Sequence, residues 1–452
     1  MRTPSRSLPP AALVCAALTL YAQVAAAPLV PRAFPGAAAS QYVPGEVLVK
    51  FRPTAGTQGR MASTAARGHA VLAILHLPGW AQIRVGVGQT VEAALTGYRD
   101  DPDVEYVQPN YIYRATAAPN DSQYGQIWAF KNVGQTVTTG TYSPNAGTAG
   151  NDMNIEPAWG HITDCSSVVV AVLDSGVDYT HEDLAANMWN GGSSFPNHGH
   201  DFVDNDDDPM DPNGHGTHVA GIIGAVGNNG TGTTGVCQKA SVMAVRVLDT
   251  TGNATTATAI QGVHFAVTHG AKVINMSFVG GGSFDPLFSD AIANAQNSDV
   301  VVVVVAGNDT NDVDGASGAR YPCNFSQPNL VCVAALDQNY ALASFSNWGA
   351  TSVDVGAPGT NILSTWAGAQ SSNSSYNTIG GTSMASPEVA GLASMLRAFN
   401  PQYTFIDTVN AIKSGGRSVP ALAGRTASGK AADVMSSLGY INPPTAVTAT
   451  VQ

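Results

Sequence analysis

Four nearly continuous apolar runs punctuate the chain from residue 168 onward: VVVAVL (168–173), SVMAVRVL (241–248), KVINMSF (272–278) and VVVVVAG (301–307). A strand with one wet face alternates apolar and polar residues. A strand covered on both faces has no reason to, so these runs predict a parallel sheet lying between layers of helices. The stretches between the runs supply those helices. Residues 257–269 place Ile260, Val263 and Val267 on one face and stop at Gly270, a helix with its terminator. Farther on, Val389, Leu392, Ala393 and Leu396 fall at i, i+3, i+4 and i+7, the spacing of a buried helix face. This alternation predicts a doubly wound α/β fold, a mostly parallel sheet with helices on both faces, reaching about Leu438.

Upstream the pattern is different. GEVLVKF (45–51) alternates as a strand does, RVGVG (84–88) gives a second candidate strand, and the segments between them and at 91–99 are compatible with helices. DPDVEYVQPNYIYR (101–114) closes the unit with another extended run. Residues 43–114 therefore predict a small α+β domain of ferredoxin-like type, near the lower size for independent folding. The Pro- and Ala-rich stretch 28–42 reads as a linker. Ahead of it, Arg2 and Arg6 precede an apolar run from Ala11 to Leu20, and Ala25, Ala26 and Ala27 follow: the layout of a signal peptide over 1–27. Secretion is the expected localisation. No other stretch approaches the 18 apolar residues of a membrane span, so no membrane partner is expected. Residues 442–452, with Pro443 and Pro444, read as a loose tail.

Charge is divided unevenly. Residues 1–118 hold 10 Lys and Arg against 6 Asp and Glu, whereas residues 119–452 hold 10 against 26, within an overall net charge of −12. A basic leader on an acidic body argues against nucleic-acid binding, which needs basic patches on the mature surface.

Three segments set a reactive side chain beside glycine. VVVAVLDSGVD (168–178) puts Asp174 at the carboxyl end of a buried strand, where open α/β sheets place their sites. NGHGTHVAG (213–221) puts His215 at a turn opening a helix. GGTSMASPEVAG (380–391) puts Ser383 at the start of the amphipathic helix, with Pro387 expected in its first turn. Singly, these read as a turn aspartate, a surface histidine and a loop serine. Together they fit nucleophilic catalysis: a serine hydroxyl needs a base, an imidazole can take and return its proton, and a carboxylate fixes the imidazole tautomer. Their order along the chain, Asp then His then Ser, is that of subtilisin.

The segment from residue 119 to about 438 closely resembles the subtilisin-like serine protease (subtilase) family, with motifs most similar to thermitase-type members. The resemblance implies a peptidase domain over 115–441 with Asp174, His215 and Ser383 as a catalytic triad; His215 rather than His218 is the base, and His218 reads as a packed or helix-surface histidine. It implies that Asn308, ending VVVVVAGND, donates to the oxyanion. It makes residues 43–114 an inhibitory propeptide, removed by self-cleavage near 114–118. The walls of its specificity pocket would be Ser277, Phe278 and Val279 on one side and Ala306, Gly307 and Asn308 on the other, with Arg320 near the floor and Asp309 near the rim. Those two are expected either to pair or to leave Arg320 facing an acidic or small substrate side chain. Glu388 stands where relatives commonly carry a histidine.

The same resemblance implies structural Ca²⁺. DFVDNDDDPMDPNG (201–214) offers Asp201, Asp204, Asp206 and Asp208, and a second site is implied at Asp121, Asp183 and Asn229. Once Cys15 leaves with the signal peptide, four cysteines remain. In the implied fold the strands that follow Cys165 and Cys237 are neighbours, while Cys323 and Cys332 bracket a loop; the expected pairs are 165–237 and 323–332. The expected protein is a secreted, monomeric endopeptidase acting on polypeptides. The alternatives are a catalytically dead binding module, which has no reason to keep all four site residues, and an esterase, whose G-x-S-x-G motif is missing.

Overall fold

The computed structural model describes residues 42–111, 118–137, 139–143, 146–367 and 374–439. The expected signal peptide, nearly all of the linker, residues 112–114 and the tail lie outside these. The chain divides into two compact units at about residue 112.

The first unit runs β1 (Tyr42–Phe51), α1 (Gly56–Ala66), β2 (Ala70–Ile74), β3 (Trp80–Arg84), α2 (Val91–Arg99) and β4 (Val104–Tyr111), with an antiparallel sheet in the order β2-β3-β1-β4. This is the expected α+β ferredoxin-like arrangement. Val47, Val49 and Phe51 point inward from alternate positions of β1 and meet Val91, Ala94, Leu95 and Tyr98 of α2 in one small core. Pro109, which cannot donate to a ladder, is tolerated because β4 is an edge strand. Two expectations need correction. RVGVG is not the second strand: β3 ends at Arg84, Gly88 turns at φ +83°, and a Cβ on Gly86 would stand 2.7 Å from the Gly68 carbonyl. In the segment read as helix-compatible, a short 3₁₀ turn at 53–55 leads into the one α-helix, residues 56–66, and β2 and β3 follow. The cue for β3 was the alternation of Ala81 and Ile83, both buried.

The second unit contains β5 (Asp164–Asp174), β6 (Gly199–Asp201), β7 (Lys239–Arg246), β8 (Ala271–Met276), β9 (Gly280–Gly281), β10 (Val301–Val305), β11 (Arg320–Tyr321), β12 (Leu330–Leu336), β13 (Val355–Pro358), β14 (Ile362–Trp366), β15 (Ser375–Ile379), β16 (Arg417–Ser418) and β17 (Lys430–Ala431). Its helices are α3 (Ile155–Trp159), α4 (His215–Gly224), α5 (Thr256–Thr268), α6 (Pro286–Asn297), α7 (Thr382–Phe399), α8 (Phe405–Gly415) and α9 (Val434–Leu438). Nine strands form one sheet, β16-β17-β13-β12-β10-β8-β5-β7-β6, parallel except for β16 at the edge. The chain enters at β5, crosses to the edge strand β6, returns inward through β7 and then runs the other way from β8 to β13. The strand order thus reverses beside β5, the place where an open α/β sheet leaves a crevice.

The apolar runs are continuous because each strand serves two cores. Val170 and Val172 of β5, with Val301 and Val303 of β10, pack on the face covered by α4 and α7. Ala171, Leu173, Val302 and Val304 pack on the face covered by α5 and α6. Val389, Leu392, Ala393 and Leu396 are fully buried, as their spacing predicts. Cys165 is bonded to Cys237, with Cα atoms 5.8 Å apart, and Cys323 to Cys332. Among the described residues no helix is long and apolar enough to cross a membrane.

Glu388 lies on α7 with no solvent exposure, and neither carboxylate oxygen has a hydrogen-bond partner. Burial pushes its pKa well above the usual carboxylate range. A carboxyl raised in the folded state costs no stability while protonated in both states, and stability falls as pH climbs from the unfolded value toward the folded one, by about 1.4 kcal/mol per pH unit. Glu388→Gln should therefore melt with the parent near pH 4 and progressively above it from pH 5 upward; parallel melting temperatures across that range would contradict the burial argument.

Candidate active site

Asp174 is the last residue of β5 and is completely buried. His215 is the first residue of α4, placed there by Gly214 at φ +100°, where any Cβ would stand 2.4 Å from the Trp366 ring. Gly216 is equally constrained: its Cβ would meet the Gly176 carbonyl at 2.1 Å. These two glycines let the helix start press against the end of β5. The result is a 2.7 Å contact between His215 Nδ1 and Asp174 Oδ1, the latter also accepting from the Ser175 N–H at 2.8 Å. Burial alone would lower the His215 pKa, but the Asp174 charge and hydrogen bond, helped by Asp211, outweigh it and raise it. Because the carboxylate only accepts, Nδ1 carries the proton and Nε2 is left as the acceptor.

Asp211 was missed in the sequence, hidden among the other carboxylates of its loop. It is buried, accepts from Ser175 Oγ at 2.8 Å, and binds the N–H groups of Asn213, Gly214 and Thr217, so it holds the approach to His215. Of the two readings of His218, the packed one holds: it is fully buried, with Nε2 3.1 Å from the carbonyls of Ile362 and Asn377, and pushed down to about 3 by burial.

Ser383 is the second residue of α7. Pro387 sits inside this helix rather than in its first turn, a correction with a consequence. Having no N–H, Pro387 cannot bond the carbonyl four residues back, which is that of Ser383. Ser277 Oγ donates to that freed carbonyl at 3.0 Å, and Ser383 Oγ donates to the Ser277 carbonyl at 3.1 Å. Ser277 Oγ in turn accepts from buried Asn275 Nδ2 at 2.9 Å, and Asn275 Oδ1 accepts from Ser386 Oγ at 2.7 Å. The nucleophile candidate is thereby tied to the end of β8 through two residues that sequence reasoning left unassigned, Asn275 and Ser386.

Asn308 follows β10 at Gly307, whose φ of +101° and contact with Asn347 exclude a side chain. Its Oδ1 accepts from both the N–H and the Oγ1 of Thr382, each at 2.9 Å. A backbone N–H can only donate, so this contact fixes the amide with its NH₂ turned away from Thr382. The position a Cβ would take on Gly381 lies 3.4 Å from Asn308 Nδ2 and 3.6 Å from the Ser383 nitrogen. The Asn308 amide and the Ser383 N–H, at the first turn of a long helix, thus lie beside the same glycine.

A cleft of about 700 Å³ is lined by His215, Ser383, Asn308, Thr382, Ser277, Phe278, Val279, Gly307, Asp309 and Arg320. Ala306 is not part of it: that side chain is wholly buried in the core under α5 and α6, and Val305 lines the cleft instead. Strand alternation explains the exchange, since neighbouring residues face opposite sides. Val279 Cγ1 stands against Gly307. Arg320 and Asp309 are paired, Nε to Oδ2 at 2.9 Å.

The residues implied for calcium fare unequally. The Asn228 and Asn229 N–H groups donate to Asp121, and Asn229 Nδ2 donates to Asp183 at 2.7 Å, so Asp121, Asp183 and Asn229 are brought together. Both carboxylates are buried without an ion pair among the described residues, and burial pushes Asp183 up to about 6 against the hydrogen bonds it accepts. Two buried carboxylates without a counter-charge fit a hard cation. The 201–208 loop fits less well. Asp201 and Asp204 converge on Arg246 Nη1, Asp207 pairs with His200, and Asp208 accepts from Tyr179. Among the described residues no cluster of three or more His, Cys, Asp or Glu side chains is gathered as a metal-ligand set.

Comparison with known proteins agrees with this geometry. The model of the subtilase family matches residues 166–435, and that of the fervidolysin N-terminal prodomain matches residues 28–110. The chain is 37% identical over 361 residues to a thermophilic serine proteinase of Bacillus sp. (strain AK1), covering 78% of each chain. It is 43% identical over 239 residues to thermitase of Thermoactinomyces vulgaris, covering 53% of this chain and 77% of that one. Among solved structures, a protease from Pseudoalteromonas arctica superposes with a TM-score of 0.58 at 33% identity, covering 72% of this chain and 99% of that one. With a family match across more than half of its length and a buried aspartate–histidine pair sharing a cleft with a helix-start serine, the chain belongs to the subtilase family: it is a serine endopeptidase with an N-terminal prodomain.

Proposed function

We propose that this enzyme is secreted, cleaves extended polypeptides through an acyl-enzyme, and matures by removing its own prodomain. The observation that carries the catalytic reading is the 2.7 Å bond from His215 Nδ1 to fully buried Asp174 within the cleft that also holds Ser383. Ser383 is the nucleophile. Rotation about its Cα–Cβ bond exchanges the Ser277 carbonyl for His215 Nε2 as acceptor; the imidazole takes the proton as Oγ attacks, then returns it to the leaving amine. Asp174 stabilises the imidazolium. The oxyanion accepts from Asn308 Nδ2 and the Ser383 N–H, the amide being already aimed by Thr382 and the backbone donor strengthened by the helix start. Secretion rests on the signal-peptide layout and self-processing on the prodomain.

Calcium, when bound, would supply the positive charge that Asp121 and Asp183 lack. Asp121, Asp183 and Asn229 would hold it, tying the segment near Asp121 to the 228–229 loop.

The base works only when neutral, and its pKa is raised, so activity should fall toward acid pH with a midpoint above about 6.5. Asp174→Asn should lower turnover by about 10⁴-fold through the wrong tautomer; a midpoint below 6.5 in the parent would contradict the assigned pair. Asn308→Ala should cost about 100- to 1,000-fold in turnover, the range measured when such a donor is removed from a subtilisin. Ser383→Ala should accumulate as uncleaved precursor in a protease-free host, and normal maturation there would refute self-processing. Excess chelator should lower the melting temperature of the inhibited enzyme, the stability lost being about 2.7 kcal/mol for an ion present at about 100 times its Kd. An unchanged melting temperature would remove calcium from the account.

A further inference from the structure

The two proposed oxyanion donors sit on separate turns: Asn308 follows β10, and Ser383 opens α7. The first turn is held from one side by residues 345–347. The Phe345 carbonyl accepts from the Thr310 N–H at 3.0 Å, and Asn347 Oδ1 accepts from the N–H groups of Asp309 and Asn311 while its Nδ2 donates to the Ala306 carbonyl. Tyr142 reaches both turns. Its ring meets that of Phe345 edge-on, with centroids 5.4 Å apart, and its hydroxyl donates at 3.2 Å to the carbonyl of Gly380, in the turn that leads to Ser383. A Cβ on Gly380 would stand 2.6 Å from ring carbon Cε2, so the ring lies directly on that backbone. Tyr142 is itself clamped. Its N–H donates to Asn361 Oδ1 and its carbonyl accepts from Asn361 Nδ2, both at 2.8 Å, and Asn361 is fully buried. Gly140 leaves room for that amide, since a Cβ there would stand 2.7 Å from Asn361 Cγ.

A side chain that only filled space beside Gly380 would need neither a hydroxyl aimed at a main-chain carbonyl nor a backbone held on both sides by one buried amide. We propose that Tyr142 is a positioning residue: wedged between Phe345 and Gly380, it sets the spacing of the Asn308 amide and the Ser383 N–H. This rests on the endopeptidase reading above, with those two groups as the oxyanion donors. Pressure on the Gly380 backbone passes to the peptides on either side, because each is planar and leaves only two soft dihedrals per residue. The next residue is Gly381, beside which both donors lie, and its N–H is tied to the Gly359 carbonyl at 2.8 Å. Thr382 fixes which face the Asn308 amide presents; Tyr142 fixes the distance between the turns that carry the two donors. Donors so spaced act without reorganising as charge develops. Tyr142 is not among the described residues that line the cleft, so it acts through the two turns.

The test measures kcat and KM on one peptide for the mature parent, Tyr142→Ala, Tyr142→Phe, Asn308→Ala and the variant carrying both alanines, each variant being matured by a tagged parent that is then removed. Tyr142→Ala should lower kcat at least ~10-fold with KM moved less than ~3-fold, since the donors act on the transition state. Tyr142→Phe keeps the ring and loses one hydrogen bond, so its kcat should stay within ~5-fold of the parent. With Asn308 already replaced there is no second donor to space, and Tyr142→Ala should then cost less than ~3-fold more. Should Tyr142→Ala not fold, Tyr142→Leu, which keeps an apolar side chain over Gly380, takes its place with the same expectations. A smaller loss of kcat in the single variant, a loss carried by KM, or a larger loss in the Asn308→Ala background would make the tyrosine merely structural and overturn the proposal, leaving the endopeptidase reading intact. Asn308→Ala turning over as fast as the parent overturns the oxyanion reading and the proposal with it.

Discussion

A carboxylate with no solvent exposure, holding one proton of an imidazole that does reach the cleft, is the constraint around which the peptidase unit is arranged. Asp174 is tolerable in the core only because it ends the strand beside which the sheet order reverses, where His215 Nδ1 and the Ser175 N–H both reach it. The glycines on either side of His215 exist for the same contact, since a methyl group on either would collide with Trp366 or with the Gly176 carbonyl. Asp211 adds a second buried carboxylate beneath the turn and, by its charge, reinforces the basicity of the ring. Tautomer, orientation and basicity are thus settled before any substrate arrives.

Ser383, the proposed nucleophile, is positioned by a different device. A proline inside α7 removes one helical hydrogen bond, and the carbonyl so released belongs to Ser383. Ser277 takes it up and is itself fixed by Asn275 from the sheet below. The helix that carries the nucleophile is therefore tied to the strand layer by side chains at its first turn and by packing along the rest of its length. Thr382, the residue before the nucleophile, meanwhile holds Asn308 by its carbonyl oxygen so that the amide donors face outward. One helix start thereby organises both the proposed nucleophile and the proposed oxyanion donor.

Much of this was legible in the chain. The four apolar runs specified a doubly covered parallel sheet because every residue in such a strand faces a core, and the glycine-flanked Asp, His and Ser marked the crevice. What escaped reading depended on pairings between distant segments. Ala306 was expected as a wall, but alternation at the end of β10 turns it into the core and sets Val305 against the cleft. The acidic loop at 201–208 read as a cation site, yet parallel register sets Arg246 opposite Asp201, and its guanidinium supplies the positive charge. In the prodomain, valines and glycines at 84–88 imitated a strand whose true partner residues lie a few positions earlier. Asn275 gave no signal in a run that otherwise read as buried strand; only the fold shows that its side chain reaches Ser277.

The central claim is that one hydroxyl, activated by one imidazole, does the chemistry. Its most direct measurement is mass mapping of the mature enzyme after reaction with an irreversible serine-directed phosphonate, alongside a His215→Ala variant and with casein hydrolysis followed in parallel. The account predicts a single adduct on Ser383, formed in proportion to lost activity and nearly absent when His215 is replaced. An adduct on another residue, or full labelling of Ser383 in the variant without its histidine, would contradict it.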